Sequence, residues 1–273
     1  MTVRLAEARP SRVVLNFTHH CALRCEWCYV PFETPRAERE IVVAIVERIA
    51  TLEFRSLTLG GGDPFQYPFV PDVIRRAKGL GLNVHVDTHG RSFMPSAVNA
   101  KLATDYFDLV GLPLDGPTAT VHDSIRTLPG HFDLVLRRLA WLKSLGVRVK
   151  LNTMVSQKNA AHLPELAQLV CHLSPWRWSI YQFWPLGPAH RVLNAYEIER
   201  GAFDCLAGEA AKHVRTNKLT VVEISDQLSR RATYPLVHHD GSVFAHSVSD
   251  PNSFSRVCSI FDVEARDLID DYC

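Results

Sequence analysis

The chain has 273 residues, 47% of them hydrophobic and 22% charged, enough to bury a large core as one domain, or as one domain with a small appendage. A formal net charge of +1 gives no indication of a general polyanion surface of the kind that binds nucleic acid. No apolar run reaches bilayer length, and the opening MTVRLAEARPSR lacks the apolar stretch of a signal peptide, so the expectation is a cytoplasmic protein without a membrane partner.

The first strand-like run, VVLNFT (13–18), leads into HHCALRCEWCYV, where Cys21, Cys25 and Cys28 stand in the pattern C-x3-C-x2-C. Three thiolates this close can wrap one corner of an iron–sulfur cluster. They leave one iron open, where a small molecule can bind and react. The competing reading is zinc, which usually recruits four ligands, and His19 or His20 beside the cysteines would complete a Cys3His set. The remaining cysteines, Cys171, Cys205, Cys258 and Cys273, are scattered and make the total an odd seven, so a disulfide framework is not expected.

A helical stretch (37–52) precedes the second strand, SLTLGG (56–61), which ends in Gly60, Gly61, Gly62, Asp63 and Pro64. Glycines allow positive φ and close backbone approach, and Pro64 stiffens the exit. A helix (69–81) leads to VHVDTH (84–89), ending in Thr88 and His89, and a helix (95–106) leads to DLVGLPLD (108–115), ending in Asp115. His89 could bind a ligand, act as an acid or base, or serve structure alone. After a leucine-striped helix (131–146) comes VKLNTMV (149–155), with Lys150, Asn152 and Thr153 inside it. A last helix (162–173) leads to WSIYQFWPL (178–186), where alternation sets Tyr181 and Phe183 on one face and Gln182 and Trp184 on the other; Gln182 is the candidate to point inward.

Six β–α units in a row imply an α/β fold with a parallel sheet and right-handed crossovers, either a partial (β/α)6 TIM-like barrel or a doubly wound sheet. In both, ligands bind beyond the C-terminal ends of the strands, where the cysteines, the glycine turn, His89 and Asp115 all fall. The expected division is a core over 10–188 and a C-terminal cap over 189–273. The cap holds a helix (196–217), a strand (219–225), a hairpin (235–246) turning at Asp240-Gly241, and a polar loop (247–256).

The cysteine triad with Trp27, followed one β–α unit later by GGGDP, resembles the radical S-adenosylmethionine (radical SAM) superfamily over about 13–187. The resemblance implies a [4Fe-4S] cluster on Cys21, Cys25 and Cys28, and S-adenosylmethionine bound at the open iron through its amino and carboxylate groups. It implies cofactor contacts from Trp27, from Gly60, Gly61, Gly62 and Asp63 (an Asp where the family has Glu), and from His89, Asp115, Arg126 and Asn152. One electron, from a donor of the flavodoxin or ferredoxin type, then cleaves the cofactor to methionine and a 5′-deoxyadenosyl radical that takes hydrogen from a substrate. Lys150, Arg177, Tyr181, Gln182 and Trp184 are the implied substrate contacts.

The K-x-N strand (Lys150, Asn152) and R-W-x-x-x-Q (Arg177, Trp178, Gln182) are further similar to the viperin-like group, whose members dehydrate a nucleoside triphosphate. Ser56 and Ser179 stand where lysines would help hold phosphates, leaving Arg55, Lys150 and Arg177, so a different small molecule, a nucleoside, nucleotide or sugar in a biosynthetic pathway, is also implied. Two alternatives stand beside it: a maturase acting on ribosomally made peptides, and a non-catalytic iron–sulfur or zinc scaffold.

Overall fold

The computed structural model describes residues 11–32, 34–216, 219–230, 234–246 and 253–272. Six strands follow one another with helices between them: β1 (Arg12–Phe17), β2 (Ser56–Gly61), β3 (Asn83–Asp87), β4 (Leu109–Pro113), β5 (Val149–Val155) and β6 (Arg177–Gln182). The helices are α1 (Arg39–Thr51), α2 (Val70–Gly79), α3 (Ala97–Tyr106), α4 (Ala119–Arg126), α5 (His131–Ser144) and α6 (Leu163–Leu173). All six strands are parallel and pair in sequence order, which is the partial barrel expected from the β–α alternation.

Beyond Gln182 come α7 (Leu193–Tyr196), α8 (Arg200–Arg215), β7 (Val221–Ser225), α9 (Gln227–Arg230), β8 (Leu236–His238), β9 (Ser242–His246), β10 (Phe254–Ser259) and α10 (Ala265–Tyr272). These strands join the same sheet. β7 pairs in parallel with β6, β8 pairs in parallel with β1 at the opposite edge, and β9 and β10 continue antiparallel, giving the order β10-β9-β8-β1-β2-β3-β4-β5-β6-β7. Among the described residues β7 and β8 do not pair, so the sheet stays open between them. The hairpin turns where its Asp-Gly pair predicts: Gly241 has φ +88°, and Asp240 Oδ1 accepts from Ser242 N at 2.9 Å.

Strand alternation separates two interiors. Val13, Leu15 and Phe17 on β1 and Val84 and Val86 on β3 are fully buried toward the helices. The opposite faces carry Arg12 and Val14, and His85 and Asp87, which line a cavity inside the barrel. Several elements escape the sequence patterns, among them α4, the one-turn helices α7 and α9, β10 and α10. α4 is only eight residues long, started by Thr118 Oγ1 accepting from Val121 N at 3.4 Å, too short to show a period. β10 occupies part of the run expected to be polar loop; 247–252 of that run, and Cys273, lie outside the described residues. α10 returns Ala265 and Ile269 to the core, with the Arg266 guanidinium 4.3 Å above the Phe54 ring.

Candidate active site

The cysteine loop leaves β1 and crosses the mouth of the barrel, pinned from several sides. His239, just past β8, accepts from Thr18 N through Nδ1 (3.0 Å) and donates from Nε2 to Pro35 O (2.8 Å), tying both ends of the loop to the C-terminal hairpin. His19 is spent on Thr34 O at 2.8 Å, a structural role. Trp27 Nε1 donates to Ile125 O at 3.2 Å, and Tyr196 Oη meets Glu26 at 3.3 Å. Cys21, Cys25 and Cys28 all line one cavity of about 450 Å³, together with Trp27, Gly61, Gly62, Asp63, His89, Arg126, Lys150, Asn152, Tyr181, Gln182 and Trp184.

The glycine turn touches the cysteine loop directly. Gly61 has φ +82°, and a Cβ there would lie 2.7 Å from Phe17 N. A Cβ on Gly62 would lie 2.4 Å from the carbonyl oxygen of His20, the residue before Cys21. At these two positions the absence of a side chain lets the turn nest against the loop. Gly60 stands apart: it does not line the cavity, and a Cβ there would meet only Asp87 Cβ at 3.8 Å.

Asp63 spends its carboxylate on the protein. It accepts from Phe65 N (2.9 Å), Thr88 Oγ1 (2.7 Å) and His89 N (3.2 Å), and pairs with His89 Nδ1 at 3.0 Å. Burial pulls the His89 imidazole down, but its bonds to Asp63 and to the Cys21 thiol outweigh this and raise its pKa to about 9. Asp115 is likewise enclosed: Oδ1 accepts from Met154 N (2.8 Å) and Oδ2 from Arg126 Nε (2.5 Å). The Arg126 guanidinium lies 4.7 Å over the Trp27 ring, so Asp115 acts on the cavity through Arg126.

Deeper in the barrel, Asn152 Nδ2 donates to Asp87 Oδ1 (2.9 Å), which also pairs with His85 Nε2 (3.1 Å) and Lys150 Nζ (3.6 Å). Burial opposes the Asp87 charge, but His85, Lys150 and the Asn152 amide hold its carboxyl well below the usual range. Arg12 lies 4.3 Å over Tyr234, and Arg230 lies 5.1 Å over Tyr181 and 5.2 Å over Trp184. Burial alone would raise the Tyr234 phenol, yet Arg230, Arg12 and Lys150 lower it, a sign of concentrated positive charge.

Two expected substrate contacts are engaged differently. Arg177 lies outside the cavity lining and pairs with Glu223 at 2.7 Å; Ser179, beside it, also bonds Glu223 (3.0 Å). Gln182 reaches the lining, but its amide is committed to Ile198 O (3.0 Å) and Gln227 N (3.1 Å), fastening the end of β6 to α9. Tyr181, on the other face, contributes the ring under Arg230. Arg12, His85, Asp87, Arg230 and Tyr234 escaped sequence reasoning. For β3, the polar alternation H-V-D against V-V was the available signal; Arg230 and Tyr234 come from the tail and carried none.

The residues fit a three-cysteine cluster with S-adenosylmethionine beside it. Burial pushes the Cys28 thiol up to about 12 and raises Cys25, so in these surroundings the thiolates call for a strongly cationic partner. Among the described residues no three His, Cys, Asp or Glu side chains gather closely enough to hold a single metal ion. Among the described residues Asn152 Oδ1 is buried without a hydrogen-bond partner at the cavity wall, as expected of a group that serves a ligand.

The sequence profile of the radical SAM superfamily matches residues 15–170. An AdoMet-dependent heme synthase of Oleidesulfovibrio alaskensis is 28% identical over 196 residues, covering 68% of this chain and 50% of that protein. An S-adenosylmethionine-dependent nucleotide dehydratase of Flammeovirga pacifica is 23% identical over 237 residues, covering 82% of this chain and 78% of that protein. The structure of anSMEcpe with bound AdoMet and Cp18Cys peptide superposes with a TM-score of 0.73 at 17% identity, over 94% of this chain and 79% of that one, a likeness of fold. The chain spans about half the length or less of the first two curated relatives it matches, 50% and 42%. Among the described residues no helix is long and apolar enough to cross a membrane.

Proposed function

Because the chain belongs to the radical SAM superfamily, we propose that it is an enzyme acting on a small anionic substrate, of the class of a phosphorylated nucleoside or sugar. The chemistry supplied by a bound [4Fe-4S] cluster and S-adenosylmethionine is one-electron cleavage to methionine and a 5′-deoxyadenosyl radical, which takes hydrogen from the substrate. Cys21, Cys25 and Cys28 hold the cluster. The backbone of Gly61 and Gly62 receives the methionine amino group, with Asp63 bracing the turn. Trp27, His89, Arg126 (oriented by Asp115) and Asn152 surround the rest of the cofactor.

The observation that carries the substrate class is the charge of the barrel interior. Arg12, Lys150 and Arg230 line the same cavity as the cysteines, while of the two carboxylates in that lining Asp63 is consumed by Thr88 and His89. Asp87 pairs with Lys150 at 3.6 Å, and among the described residues Arg230 Nε is buried without a hydrogen-bond partner. Like charges crowded into one cavity repel, and an anionic group on the substrate relieves this through charge-assisted bonds. Tyr181 and Trp184 offer flat surfaces for the rest of the molecule. The similarity to a nucleotide dehydratase over most of both chains supports the same class.

The test is anaerobic reconstitution with iron and sulfide, reduction with dithionite as a stand-in for a flavodoxin- or ferredoxin-type donor, and measurement of 5′-deoxyadenosine with a panel of nucleosides, nucleotides, sugar phosphates and peptides. Stimulation by phosphorylated members above their neutral parents is expected. Stimulation by peptides or neutral nucleosides alone would refute the substrate class. A colourless, zinc-loaded protein releasing no 5′-deoxyadenosine would leave the scaffold reading.

A further inference from the structure

Behind the cavity wall, two histidines that no cofactor contact explains form a continuous hydrogen-bonded strut. His122, on α4, is fully buried, and His131, at the start of α5, is 1% exposed. Asp115 N lies 3.0 Å from His122 Nδ1, His122 Nε2 lies 2.9 Å from His131 Nδ1, and His131 Nε2 lies 2.9 Å from His89 O. The ring centroids lie 5.0 Å apart and the planes 13° from parallel, so the two imidazoles meet edge to edge, as a bond between ring nitrogens requires.

The chemistry of the two ends dictates every proton between them. A backbone N–H can only donate, so His122 Nδ1 accepts and its proton sits on Nε2. That proton is given to His131 Nδ1, leaving the His131 proton on Nε2, which donates to a carbonyl that can only accept. Each ring is neutral, in one tautomer, with both nitrogens satisfied. A proton added to either ring would set N–H against N–H. The strut therefore joins the ends of β3 and β4 at a fixed separation.

Each end grips the cysteine loop. His89, just past β3, is anchored by Asp63 at 3.0 Å, and the neighbouring Gly62 packs against the carbonyl of His20, the residue before Cys21. Asp115, at the end of β4, holds Arg126, whose carbonyl lies 3.8 Å from Cys25 Sγ and whose guanidinium covers Trp27. We propose that His122 and His131 are positioning residues, which set the separation of Cys21 from Cys25 and so tune how firmly the cluster is held and how it responds to S-adenosylmethionine. This rests on the reading of the cysteines as cluster ligands. Outer partners of metal ligands commonly change metal affinity or activity about 10–100-fold when removed, and this pair stands one step further out on two ligands at once.

The test compares reconstituted wild type with His131→Phe, which keeps a flat ring at that position but removes both hydrogen bonds, and with His131→Gln, which keeps a donor for His89 O. Leu142→Ala, fully buried 11 residues along the same helix and remote from the loop, is the control for lost stability alone. Two signals are read: the rate of iron loss to a chelator, and the change that S-adenosylmethionine induces in the electron paramagnetic resonance spectrum of the reduced cluster. His131→Phe is expected to lose iron about 10-fold faster or more and to show an altered cofactor-induced spectrum, with His131→Gln between it and wild type. Leu142→Ala should melt earlier with neither signal changed. If His131→Phe does not fold, His122→Gln, which retains an acceptor for Asp115 N, is read against the same control. Wild-type iron release and spectra in the folded variants, whatever their melting temperature, would overturn the proposal. A wild type that binds no iron chromophore would instead overturn the cluster reading on which it rests.

Discussion

Gly62→Ala probes the contact between the glycine turn and the cysteine loop. The new methyl would lie 2.4 Å from His20 O and 3.0 Å from Phe17 O, both backbone atoms. Reaching even the 3.0 Å closest approach seen for Cβ atoms requires the His20 carbonyl to retreat by about 0.6 Å (3.0 − 2.4), and Cys21 is the next residue along the chain. Overpacking of this kind costs about 1–3 kcal/mol. At about 2–4 °C per kcal/mol for a chain of this size, the melting temperature falls by roughly 2–12 °C. Misplacement approaching an ångström at a reactive site also costs up to about 100-fold in rate. Gly208→Ala is the matched comparison: that glycine lies inside α8, nothing stands within 4 Å of its new Cβ, and alanine there should stabilise by about 0.5–1 kcal/mol. The assay is thermal unfolding by circular dichroism together with retained iron per chain. If Gly62→Ala melts and holds iron as Gly208→Ala does, the packing argument is wrong.

Asp63→Glu, which restores the acid common in the family, should destabilise by about 1–3 kcal/mol because the carboxylate pocket is fully enclosed and already matched to four partners; a chemical denaturation midpoint at or above wild type would contradict this. Arg230→Gln should raise the apparent KM for a phosphorylated substrate about 10–100-fold with a smaller effect on unstimulated cofactor cleavage, whereas unchanged KM would remove Arg230 from the substrate site. Burial, reinforced by Arg126, holds His131 at about 4 and His122 at about 2, below the unfolded value of about 6.5. The unfolded chain therefore protonates first, and stability falls as pH drops from about 6.5 toward 4, with His131 alone contributing on the order of 3 kcal/mol over that range. A urea midpoint that does not fall between pH 7 and pH 5 would refute the neutral assignment. Gly60→Ala should leave the melting temperature within about 1 °C of wild type, since its Cβ meets only ordinary contact, so any loss of S-adenosylmethionine affinity would report close approach of the cofactor to that backbone.

The order of strands was legible because each β–α unit is a local event: an apolar run of β-branched residues, a helix period, a glycine stop. The cysteine loop and glycine turn were legible for the same reason, being short motifs whose spacing carries their chemistry. The inward set was only half legible. On β5, Lys150 and Asn152 stand out as polar residues in an apolar strand, and both line the cavity. On β6 alternation points Gln182 inward and it does line the cavity, but its amide binds Ile198 O and Gln227 N, partners that exist only once the tail has folded back.

The amino-acid sequence by itself determined the architecture and the three thiols, since both rest on neighbours within a few residues. Only the tertiary structure decided what those thiols sit among. Arg12 and Arg230 are 218 positions apart and meet in one cavity because β1 lies one strand in from the open seam, beside β8, and α9 follows β7 on its other side. Asp63 turned from a cofactor contact into an anchor for His89, and two unremarked histidines became a strut between β3 and β4. Long-range side-chain geometry has no period and no spacing in the chain, so it becomes visible only when the strands that carry it are laid side by side.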